Sequence, residues 1–67
     1  MKSVVELLNE LREIGTFAFA QRFRLQTPEA VSATKSDFDN WLRRSVTPGR
    51  QFESLEDAYF EYIRSFG

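Results

Sequence analysis

Each end of this chain carries an amphipathic helix pattern with its own start signal, and in 67 residues that leaves room for little besides helices. Ser3 and Glu6 stand at capping-box spacing, and Val4, Leu7, Leu8, Leu11 and Ile14 repeat with helical periodicity. Gly15 reads as the C-terminal stop, so a helix is predicted over 3–14. Its opposite face carries Glu6, Glu10 and Glu13, a stripe suited to solvent. At the other end Ser54 and Asp57 form a second capping arrangement, and Leu55, Ala58, Tyr59, Tyr62, Ile63 and Phe66 fall on one face of a closing helix. Phe60 lies about 140° around that wheel from Leu55, among Glu56, Asp57, Glu61 and Arg64, which makes it the first candidate for an exposed aromatic contact, the alternative being that it packs under a neighbouring loop.

Between the ends, Thr27-Pro28-Glu29 combines a capping hydroxyl, a proline at the first helical position and an acidic first turn, so another helix begins there. It runs either unbroken to Arg44 or with a break near 34–36, where Ser36 and Asp39 repeat the capping spacing. Its core residues would be Val31, Phe38, Trp41 and Leu42. "SVTPGRQFE" reads as a loop, because Pro48 and Gly49 end regular structure. "TFAFAQRFRL", residues 16–25, alternates like a strand, yet a strand there would find only Val46 or Gln51 to Phe52 to pair with. After Thr16 it has no β-branched residue and is built of good helix formers, so it is read as a short helix. Phe19, Ala20 and Phe23 then share a face, while Phe17 and Leu25 need cover from neighbouring segments.

The expected fold class is therefore all-α, a compact bundle of four to five short helices forming one domain over 1–67. Its core is expected to hold Leu8, Leu11, Phe19, Phe23, Val31, Phe38, Trp41, Leu42, Leu55, Tyr59, Tyr62 and Ile63. The chain has no cysteine, so packing or a partner must hold it together, and a reducing, cytoplasmic setting is the simpler expectation. No apolar run approaches the ~20 residues that span a bilayer, so no membrane association is expected.

The same composition argues against catalysis. There is no histidine and no cysteine, and the serines have no evident base to activate them. "DFDNW" begins like a calcium loop but puts Trp41 and Leu42 where an oxygen ligand and a glycine are needed, and the three glycines are isolated, so no phosphate loop exists. Neither metal, cofactor nor small-molecule substrate is expected.

Macromolecular contact remains. Basic residues gather in two places, Arg22 with Arg24 and Arg43, Arg44 with Arg50, while residues 53–67 are acidic. Aromatics and arginines dominate interface hot spots, so Phe60 and Phe52 with Arg43, Arg44 and Arg50 form the candidate surface for a protein partner or for self-association. The alternative is a DNA-binding helix-turn-helix-like regulator, transcriptional or of phage or plasmid type. There "FAQRFRL" is the positioning helix, "QT" the turn and "PEAVSATKSDF" the recognition helix, with Arg22, Arg24 and Lys35 on phosphates. Charge weighs against it, because Glu29, Asp37 and Asp39 on the recognition helix repel phosphates and Arg24 stands where such a turn often has glycine.

The chain also resembles the small YozE-like family. "MKS" followed by Leu8 and Arg12, the pairs Phe19-Ala20 and Trp41-Leu42, and the closing "LEDAYFEYI" carry the resemblance, while the link between the first two helices is shorter than in that family. The resemblance implies a SAM-like helical bundle; folds of that kind bind proteins or nucleic acid.

Overall fold

The start signals act as their chemistry requires. The Ser3 hydroxyl accepts from the Glu6 N–H at 3.2 Å and the Glu6 carboxylate accepts from the Ser3 N–H at 3.2 Å, a reciprocal cap. Thr27 Oγ1 accepts from the Ala30 N–H at 3.1 Å with Pro28 opening the helix. Ser54 Oγ accepts from the Asp57 N–H at 3.3 Å. The computed structural model describes residues 1–66. Their order is β1 (Lys2–Ser3), α1 (Val4–Glu13), α2 (Thr16–Phe23), α3 (Pro28–Arg44), β2 (Gln51–Phe52) and α4 (Leu55–Phe66).

The all-α expectation needs one correction: β1 and β2 pair antiparallel, Lys2 opposite Phe52 and Ser3 opposite Gln51. Ser3 must be extended to cap α1, at φ −75° and ψ 168°, so the residues before the helix already have strand geometry. The buried Phe52 then brings the end of the loop alongside them. Within that loop the Arg50 N–H donates to the Thr47 carbonyl at 2.9 Å, closing a turn with Pro48 and Gly49 at its centre.

Residues 16–23 are helical, as helix propensity predicts. α1 ends at the Ile14 cap, just before Gly15 as expected, but Gly15 is extended at φ −70° and caps the start of α2 as well. The left-handed residue is Arg24, at φ 58° and ψ 46°, which closes α2. α3 runs for 17 residues without a break at 34–36. One continuous face of it, Val31, Phe38, Trp41 and Leu42, is buried, and packing along that face outweighs the local capping option of Ser36.

α3 packs against α1, α2 and α4, and the core lies among the four helices. Leu7, Leu11, Phe19, Val31, Phe38, Leu42 and Leu55 are essentially inaccessible. Aromatic rings link the elements: Phe23 stands 4.1 Å from Tyr59 between centroids, Phe38 5.3 Å from Tyr62, Trp41 6.0 Å from Tyr62, and Trp41 6.4 Å from Phe52. Leu8, Phe23, Leu25 and Tyr59 are half-buried against this core. Ile63 is not core but 47% exposed, and Phe17 receives no cover at 75% exposed. The radius of gyration, 11.2 Å, matches the roughly 11 Å of a compact chain of this length. Among the described residues no helix is long and apolar enough to cross a membrane.

Candidate functional site

The helix period of α4 turns Leu55, Ala58 and Tyr62 inward, and the same period turns Phe60 outward. Phe60 is 62% exposed, as its place on the wheel predicts. It forms a ridge between two hollows. One, of about 450 Å³, is lined by Arg22, Phe23, Arg24, Glu56, Tyr59 and Phe60. The other, of about 370 Å³, lies between Met1, the β2 strand and the Asp57, Glu61 and Arg64 side of α4. Ile63 extends the ridge toward the end of the helix, while Phe66, 72% exposed, stands one turn after Tyr62 with its ring 5.0 Å from that of Tyr62.

Phe52 does not join Phe60. It is 3% exposed, packed on Trp41, with the Arg50 guanidinium 4.6 Å above its ring. This corrects its expected place on the surface: a strand residue beside β1 has one face toward the core, and Phe52 occupies that face. Arg50 is bonded to Glu61 on α4. Arg43 is paired with Asp39 one turn earlier on α3. Arg44 lines a separate hollow with Trp41 and Phe66. The expected cluster is thus divided: Phe60 stands on α4, Arg50 is joined to its neighbour Glu61, and Arg43 and Arg44 belong to the end of α3.

The residues assigned to phosphates are also placed differently from one another. Lys35 Nζ donates to the Ile14 carbonyl at 2.7 Å, satisfying an acceptor at the end of α1, and lies 5.8 Å above the Phe19 ring. Arg22 donates two hydrogen bonds to the Glu56 carboxylate, one of them at 3.0 Å, and approaches Glu10 at 3.6 Å. Through it α1, α2 and α4 are joined. The hydrogen bonds of Arg22 hold the Glu56 carboxyl below its usual range, and those of Glu56 raise the guanidinium further. Arg24 has no ion-pair partner among the described residues and borders Phe60. Burial pushes the Tyr59 hydroxyl up, and burial together with the Asp37 charge does the same for Tyr62, so both stay neutral at ordinary pH.

Sequence reasoning kept Arg22 and Arg24 apart from Phe60; the structure brings them to one hollow. The signal linking them is weak, since only the opposite signs of Arg22 and Glu56, 34 residues apart, foreshadow it. A second apolar hollow, of about 490 Å³, lies between α2 and α3, with Phe17, Ala20, Leu25 and Val31 on its walls. Among the described residues no group of His, Cys, Asp or Glu is arranged to hold a metal ion.

Compared with models of known families, with curated proteins and with solved structures, the chain matches none.

Proposed function

We propose that the protein is a non-catalytic adaptor or regulator that binds another protein, or a second copy of itself, through the outer face of α4. The observation that carries this reading is the Phe60 ridge, an aromatic left outside a core that buries most of its other rings and flanked by hollows on both sides. Aromatic anchors with arginines beside them are the usual centre of a protein interface, and Arg22 and Arg24 supply the arginines here. A chain without histidine or cysteine has few means of general acid–base or nucleophilic chemistry at neutral pH, which favours binding over catalysis.

DNA binding ranks second. α2, the Arg24–Thr27 connection and α3 have the order of a helix-turn-helix, but Arg22 and Lys35 are engaged within the chain and Glu29 stands in the first turn of α3. An affinity capture from source-cell lysate with wild-type and Phe60→Ala baits, run beside binding of a labelled mixed-sequence DNA duplex at two salt concentrations, separates the readings. The adaptor reading expects a captured protein that is lost with Phe60→Ala at unchanged melting temperature. Duplex binding that falls about tenfold or more with a few-fold rise in salt, and that ignores Phe60→Ala, would overturn it.

A further inference from the structure

The charges of α4 point to the nature of the partner. Glu56 is bonded to Arg22 and Glu61 to Arg50, whereas the Asp57 carboxylate and the Arg64 guanidinium have no partner among the described residues. These two are seven residues apart, two turns or about 10.5 Å along the helix, and share one side of the Phe60 ridge. Phe60 and Ile63 have the spacing of a seam, and Asp57 and Arg64 occupy one flank of it.

A two-fold axis perpendicular to two antiparallel helices keeps each flank beside itself and reverses its direction. With Phe60 of one copy against Ile63 of the other, residue numbers across the contact add to about 123. The same register then places Asp57 near Arg64 of the second copy and Arg64 near Asp57. Both unpaired charges find opposite partners, twice, and the helix dipoles oppose. An unrelated partner would need no such self-complementarity.

We infer that the outer face of α4 binds a second copy of this chain, as an isologous antiparallel helix pair with Phe60 and Ile63 at its centre and two reciprocal Asp57–Arg64 ion pairs on its edge. This rests on the reading of that face as an interface and names its occupant. Phe60 and Ile63, at 62% and 47% exposed, offer roughly 200 Å² of apolar surface. A standard interface takes about 800 Å² from each partner, so the pair is small and its dimer depends on protein concentration.

The test is sedimentation equilibrium of the full chain from micromolar to millimolar concentration, with circular dichroism melting of every variant. Wild type is expected to double in mass reversibly. Asp57→Arg alone and Arg64→Asp alone bring like charges together and should each weaken the dimer by about tenfold, while the double exchange restores it. Phe60→Ala should weaken it at unchanged melting temperature. A wild type that stays monomeric at every concentration overturns the inference but leaves the adaptor reading standing if a different protein is still captured through Phe60. A dimer indifferent to Phe60→Ala and to both single charge changes also overturns it, because the copies then meet elsewhere. Restoration by the double exchange supports it even where the lysate yields no other partner.

Discussion

The two faces of α4 use the same residue types for opposite ends. Inward, Tyr62 meets Phe38 and Trp41, and these join Phe52 into a continuous set of rings. Outward, Phe60 and Ile63 meet mainly water. Hydrophobic character does not assign a side chain to the core; its angle on the helix and the reach of neighbouring elements do. Arg22 marks the border, because its bonds to Glu56 fasten α2 to the edge of α4 and close the inner face without covering the outer one.

That contrast predicts a ladder of effects. Phe38→Ala empties the place where three inner rings rest, and should cost about 3–5 kcal/mol. A domain this small has roughly 5 kcal/mol to lose at most, so the variant should lack a cooperative melting transition. Glu56→Gln loosens the border instead, at roughly 0.2–1 kcal/mol, since the pair is partly exposed. Because the folded Glu56 pKa lies below its ordinary value of 4.5, its contribution is present above that pH and is lost as pH falls through the lower folded value. Acid titration of the melting temperature should therefore be shallower in Glu56→Gln than in wild type. Arg24→Gly acts beside the outer face in the other direction. It relieves the left-handed residue, less glycine's extra freedom when unfolded, and should stabilise by about 0.5 kcal/mol in urea titration.

What was legible in the sequence is local chemistry. Ser3 with Glu6, and Thr27 with Pro28, place helix starts because a capping side chain acts on backbone three residues away. Phe60 was legible for the same reason, as its direction follows from the helix period alone. What escaped depends on partners distant in sequence. The two-residue ribbon has no periodicity to read, and Phe52 is buried only because β2 meets β1 from the opposite end of the chain. Ile63 fits the apolar spacing of α4 but sits toward the edge of a face centred on Ala58 and Tyr62, beyond the arc that its neighbours cover. The division of Arg22 from Arg43 and Arg44, and its arrival beside Phe60, follow from how α2 docks on α4, which no local spacing encodes.

The most direct test of the central claim, that the rings packed on the inner side of α4 hold the fold and its outer ring is left for contact, is the urea unfolding midpoint of Phe52→Ala beside that of Phe60→Ala, at low protein concentration. Phe52→Ala should lose about 3 kcal/mol, with the Trp41 emission shifting to the red as its ring neighbour disappears. Phe60→Ala should remain within about 0.5 kcal/mol of wild type. A Phe60→Ala loss comparable to that of Phe52→Ala would contradict the account, for it would place Phe60 among the residues that hold the fold.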